Sequence, residues 1–229
     1  VEMHKRMRFV AVNGSERTDG NTREVLGHAA ELLAGHGVDL EVINLGEKRL
    51  TGCGPCGDCN SRCEPCVVTG DDVPEIVDRM ALADGIIWAA PVHGFGPATT
   101  MQAFIERAGV GYLRFQRPLT NKVGGVVVIG RRYSHTEVYN QLVANVLLNR
   151  MVMVGSGFPA ILYGNHRGEA LADTEGVEML DRMLHRMVAM ARLLAEHREL
   201  TGRDALATDH ANERDDRWFA RRYATAGQA

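Results

Sequence analysis

Two stretches of this chain are too apolar to have a solvated face: GIIWAAP at 85–91 and KVGGVVVIG at 122–130. Strands that are hydrophobic on both sides belong to a parallel sheet covered by helices above and below. Shorter strand-like runs precede and follow them: RFVAVN at 8–13, VDLEVINL at 38–45, MVMVG at 151–155 and PAILYG at 159–164. Between these runs the apolar period becomes helical. The stretch TDGNTREVLGHAAELLAGHG places Val25, Leu26, Ala29, Leu32 and Leu33 on one face and ends at a glycine. DDVPEIVDRMALAD reads as a helix capped by Asp71 or Asp72. TTMQAFIERAG, HTEVYNQLVANVLLNRM and the long EGVEMLDRMLHRMVAMARLLAEHREL supply further helices. About five strands alternating with about five helices predict a doubly wound α/β domain of flavodoxin-like arrangement.

A chain of 229 residues, 45% hydrophobic and 24% charged, has enough apolar material for one substantial core. We expect one domain over 1–200, with a cysteine-rich loop at 52–70. A polar arm at 201–229 carries Trp218, Phe219 and Tyr223 and is expected to serve oligomer contacts. A formal charge of −3 argues against nucleic acid or an anionic membrane as the main partner, and no apolar run reaches the roughly 20 residues of a membrane span. The N-terminal VEMHKRM reads as a short leader into the first strand, and the protein is expected in the cytoplasm.

In such a sheet, ligands bind where loops leave the carboxyl ends of strands, here 13–22, 90–97 and 130–136. The first loop, NGSERTDGNT, offers helix-start amides, the hydroxyls of Ser15, Thr18 and Thr22, and the charge of Arg17. With Gly14 and Gly20 allowing close backbone approach, it can cradle a phosphate; an ordinary strand–helix turn is the alternative. It is neither a Walker A loop nor G-x-G-x-x-G. The second loop, AAPVHGFGPAT, sets His93 and Phe95 among glycines and suits a flat aromatic ligand. The third, IGRRYSHTE, brings Arg131, Arg132, Tyr133 and His135. Met179, Met183, Met187 and Met190, at helical spacing, are expected in the core or at a subunit interface.

All five cysteines fall within CGPCGDCNSRCEPC, as Cys53, Cys56, Cys59, Cys63 and Cys66. An odd number cannot pair completely, and a reducing compartment disfavours a disulfide framework. Successive C-x2-C steps let neighbouring thiolates converge on one cubic iron–sulfur cluster. Four-thiolate zinc, thiols that are redox-active on their own, and vestigial thiols are the alternatives.

The combination of GSxRxxGNT, ADGIIWAAPVHGFG and MQAFIERAG resembles the NADPH-dependent FMN reductase family over about residues 7–195. The cysteine loop running into CVVTGDD is similar to its iron–sulfur flavoprotein branch. The resemblance implies FMN, with the phosphate at Ser15, Arg17, Thr18, Gly20, Asn21 and Thr22. It implies ring contacts from Pro91, Val92, His93, Gly94 and Phe95, and from Gly130, Arg131, Arg132 and Tyr133. It also implies a 4Fe–4S cluster on Cys53, Cys56, Cys59 and Cys66, with Cys63 the competing fourth ligand. The family's usual S-P-x-Y is altered here, where Ala90 and His93 stand in place of the serine and tyrosine. By this likeness the chain is a flavin-dependent oxidoreductase with NAD(P)H as donor, a small-molecule or protein redox partner, and a homodimeric or homotetrameric assembly. A cluster-free quinone, azo, nitro or flavin reductase and a non-catalytic electron carrier are the alternative functions.

Overall fold

The computed structural model describes residues 6–62, 64–68 and 70–206. A parallel sheet forms its centre, in the order β2 (Val38–Asn44), β1 (Met7–Asn13), β3 (Gly85–His93), β5 (Val123–Gly130). The fifth position, beyond β5, is shared. β6 (Val152–Met153) pairs with the start of β5 and β7 (Ala160–Tyr163) with its end. The sequence had suggested this as two strand-like runs near the end of the sheet. The intervening GSGFP turns away, because glycines and a proline are poor ladder residues.

The two apolar strands alternate sides while staying buried over Gly85–Ala90 of β3 and Val123–Gly130 of β5. Ile86, Trp88 and Ala90 of β3, with Val126 and Val128 of β5, face one core. Ile87 and Ala89, with Val127 and Ile129, face the other. The first core is covered by α3 (Val73–Ala81), α4 (Thr99–Ala108) and α6 (His135–Leu148). The second lies under α1 (Asn21–Gly35) and α8 (Thr174–Thr201), with α7 (Glu169–Ala172) at its edge. Two-sided burial of this kind is what the absence of polar alternation in β3 and β5 requires.

The methionine-bearing helix belongs to the second core. Met183 and Met187 are buried there, half-buried Met190 packs against them, and Met179 is buried as well. A Cβ on Gly125 would come within 2.5 Å of Met187 Sδ, so the glycine lets α8 lie close against β5. Met183 and Met187 therefore fill the protomer's own core.

Some local elements were not anticipated. A short helix, α2 (Asp58–Arg62), lies within the cysteine loop, and a two-residue strand, β4 (Gly96–Pro97), folds back on β3. A π-helical turn over Gly109–Leu113 continues α4 into α5 (Arg114–Gln116). At the start of α3, Asp72 is the N-cap residue but makes no capping bond; its carboxylate accepts from the Arg49 N–H at 2.8 Å. Of the expected C-terminal arm, 207–229 lies outside the described residues. Among the described residues no helix is long and apolar enough to cross a membrane.

Candidate functional site

The carboxyl ends of β1, β3 and β5 open into two adjoining clefts that share Val92 and Arg131. One, of about 160 Å³, is lined by Ser15, Arg17, Gly20, Asn21 and Thr22 from the first loop and by Pro91, Val92 and His93 from the second. Gly130 and Arg131 complete its far wall. The other, of about 310 Å³, is lined by Val92, Gly94, Phe95, Arg131, Arg132 and Tyr133. Three loops distant in sequence thus meet at the switch point between β1 and β3. Of the expected flavin residues only Thr18 lines neither cleft. It is exposed on the outer side of its turn, and its carbonyl accepts from Arg23 Nη1 at 2.9 Å.

The first loop is rigid for local reasons. Buried Asn13 receives the Ser15 N–H on Oδ1 at 3.0 Å and donates to Asn44 Oδ1 at 2.9 Å. Ser15 Oγ in turn accepts the Arg17 N–H at 3.2 Å. Thr100 Oγ1, in the first turn of α4, donates to the Gly14 carbonyl at 2.6 Å. No side chain caps α1, whose N-cap is Gly20, so amides of its first turn remain available to a ligand. Among the described residues the guanidinium groups of Arg17, Arg131 and Arg132 meet no carboxylate. Unpaired cations beside an uncapped helix start are the electrostatics of an anion cradle.

The larger cleft holds two exposed rings, Phe95 (75% exposed) and Tyr133 (66%). Phe95 sits at the tip of the β3–β4 hairpin with φ of +66°, preceded by Gly94 at +53°. Non-glycine residues rarely adopt this left-handed conformation, and such strain concentrates at functional sites. His93 Nδ1 lies 3.3 Å from Glu16 Oε2, which places an imidazole beside a carboxylate at the cleft wall. The clefts thus match a ligand that is anionic at one end and flat at the other, which fits FMN.

Sequence reasoning missed Ile129, Gly164 and Asn165, which also line the smaller cleft. A signal existed for the last two, since they follow β7 at its carboxyl end, where this fold puts its ligand loops. Asn165 is held by Glu169 Oε2, which accepts the N–H groups of Asn165 at 2.7 Å and His166 at 2.8 Å. The backbone N–H of His166 first, and then that of Asn165, hold the Glu169 carboxyl below the ordinary glutamate range. A Cβ on Gly164 would stand 2.6 Å from the Ala170 nitrogen and 2.9 Å from Asn21 Nδ2. Only glycine lets this loop close against the cradle.

The cysteine loop leaves the sheet after β2. Cys53 and Cys56 are exposed, Cys59 is buried and Cys66 half-buried, all as free thiols. Cys63 lies outside the described residues. Although Cys53 remains open to solvent, partial desolvation raises its thiol pKa. Cys59, Cys56 and Cys66 raise it further, because negative charge on those neighbours disfavours another thiolate. Four soft sulfur donors within electrostatic reach of one another are the donor set of a thiolate-bound iron–sulfur centre. The described sulfurs are nevertheless not drawn to a common metal-holding point. Arg114 Nη2 donates to the Cys59 carbonyl at 3.0 Å, and the Cys66 N–H donates to the Gly111 carbonyl at 2.9 Å. No described residue of the loop lines either cleft.

Comparison with known proteins gives this geometry a context. Residues 7–166 match the NADPH-dependent FMN reductase family. An iron–sulfur flavoprotein of Methanocaldococcus jannaschii is 30% identical over 195 residues, covering 82% of this chain and 99% of that protein. One from Methanosarcina thermophila is 26% identical over 197 residues, covering 84% of this chain and 100% of that protein. Among solved structures, RosB, crystallised with bound 8-demethyl-8-formylriboflavin-5'-phosphate, superposes with a TM-score of 0.68 at 16% identity. That match covers 88% of this chain and 90% of RosB and supports the flavodoxin-like fold. The chain belongs to the NADPH-dependent FMN reductase family, in its iron–sulfur flavoprotein branch.

Proposed function

We propose that this flavin oxidoreductase binds FMN across the two clefts and carries a 4Fe–4S cluster on Cys53, Cys56, Cys59 and Cys66. Electrons would pass between the two centres to a small-molecule or protein acceptor, with NAD(P)H as donor. The observation that carries the reading is the coexistence, in one chain, of the two-ended cleft and a loop of four free thiols. FMN, when bound, supplies hydride acceptance and single-electron release, and the protein's task is to bind, orient and tune it. Arg17 and the first-turn amides of α1 hold the phosphate end. Phe95 and Tyr133 flank the ring end, and Arg131 lies between. His93 Nδ1 faces Glu16 Oε2 at the cleft wall.

Because no described loop residue lines a cleft, we further propose a homodimer or homotetramer in which one protomer's cysteine loop approaches another's flavin. Purified anaerobically, the protein should be brown, with about four iron and four sulfide per chain. Its visible spectrum should bleach at both flavin and cluster bands on adding NADPH. A yellow protein without acid-labile sulfide after anaerobic reconstitution removes the cluster from this reading.

The family match supports a second reading, a cluster-free NAD(P)H-dependent reductase of quinones, azo compounds, nitro compounds or flavins. Undiminished turnover of these acceptors after replacing all five cysteines by serine supports it; loss of turnover supports the cluster.

A further inference from the structure

Arg107, near the end of α4, is 1% exposed and lies outside the flavin clefts. Its Nη1 donates to Asp71 Oδ2 at 2.9 Å and to the Thr51 carbonyl at 3.3 Å. Its Nη2 donates to the Val68 carbonyl at 2.8 Å, and the Tyr112 ring centroid is 5.7 Å from the guanidinium carbon. The Asp71 carboxylate, 2% exposed, also accepts the Thr51 N–H at 3.1 Å. One buried cation thus clamps both ends of the cysteine loop. A fourth hydrogen bond is not needed for that clamp: Nε donates to Cys66 Sγ at 3.2 Å.

A neutral thiol is a poor acceptor, so little is gained by aiming a buried guanidinium N–H at one. A metal-bound thiolate carries the charge that makes such a bond strong. The backbone agrees with a fixed sulfur. Cys66 is held through its N–H by Gly111, whose missing side chain admits the cysteine: a Cβ there would stand 3.0 Å from Cys66 Cβ.

We infer that Arg107 is a positioning residue of the redox centre: it fixes Cys66 as the fourth ligand and, through the N–H···S bond, raises the cluster's reduction potential. The inference rests on the 4Fe–4S reading above. An N–H on a ligand sulfur stabilises the extra negative charge of the reduced cluster, and potentials respond to such bonds as well as to net charge and exposure. Because Arg107 and Asp71 carry opposite charges, replacing both leaves the local net charge unchanged and strands neither group.

The test compares wild type, Asp71→Asn, and the double variant Arg107→Met/Asp71→Asn, all as full-length anaerobic protein. Each is titrated potentiometrically with the cluster followed by electron paramagnetic resonance, and FMN, iron and sulfide are measured on the same samples. In the double variant we expect about tenfold less reduced cluster relative to oxidised at a given solution potential, ~59 mV for a one-electron couple. Asp71→Asn, which loosens the clamp but keeps the N–H on sulfur, should not fall below wild type. In the same assay Cys66→Ser should lose the cluster and Cys63→Ser should keep it. An unchanged potential in the double variant, or an equal fall in Asp71→Asn, reduces Arg107 to a loop clamp and overturns the inference. Retention of the cluster by Cys66→Ser overturns the ligand assignment. Wild-type protein without sulfide removes the cluster reading itself, and this inference with it.

Discussion

Phe95 holds a left-handed backbone that glycine would adopt more cheaply. A side chain in that region costs on the order of 1–2 kcal/mol, and the ring it carries lines the larger cleft. Phe95→Gly should therefore raise the melting temperature by about 2–4 °C per kcal/mol released, while retaining FMN less firmly. A thermal melt and a flavin-release assay on one sample check both halves. Arg17 makes the complementary case. Its charge has no carboxylate partner among the described residues, so Arg17→Gln should leave stability nearly unchanged. FMN affinity should drop by ~10-fold, the loss of about 1.5 kcal/mol expected for one charge-assisted bond. Fluorescence titration of flavin-free protein, repeated at high salt, measures it.

Among the elements, one carboxylate helps to hold the connection from β7 to α7. Glu169 takes two backbone N–H groups and so fixes Asn165 against the smaller cleft. A carboxyl held below its ordinary value contributes stability above the unfolded glutamate pKa, and that contribution is lost as pH falls through its lowered value. FMN retention should accordingly fall with acidification below the ordinary glutamate range. Glu169→Gln should bind FMN more weakly at neutral pH and lose this part of the pH dependence; flavin titrations across pH in both proteins check it. The parallel strands, the helices and three cleft-forming loops were readable because period and turn chemistry are local. The split of the fifth strand was readable only as two runs. What stayed hidden depended on contacts between distant segments: Glu16 meeting His93, Gly164 packing on Ala170, and above all Arg107. In sequence Arg107 is one more charge in an amphipathic helix, and nothing in its periodicity announces a fully buried guanidinium.

For the whole molecule, the proposed assembly would bring the two proposed centres together, since the cysteine loop and the clefts share no described lining residue in one protomer. We propose that the polar segment beyond α8 contributes to that assembly. Removing 207–229, which leaves α8 intact, should lower the oligomeric mass in light scattering while FMN content per chain is preserved. An unchanged mass assigns the contact elsewhere.

The clamp at Arg107 has a further consequence for how this chain can vary. Thr51 and Val68 are brought together by one guanidinium that belongs to the fold, not to the segment between them. Between them the segment is tied to the fold at the Cys59 carbonyl and at Cys66, so the stretches between these anchors can lengthen or shorten with little strain on the sheet. Closing a loop of twice the length costs only about 0.6 kcal/mol more. Ligand spacing can thus drift while the flavin domain stays intact, and replacing 53–66 by a short glycine–serine turn should yield a folded protein that still binds FMN.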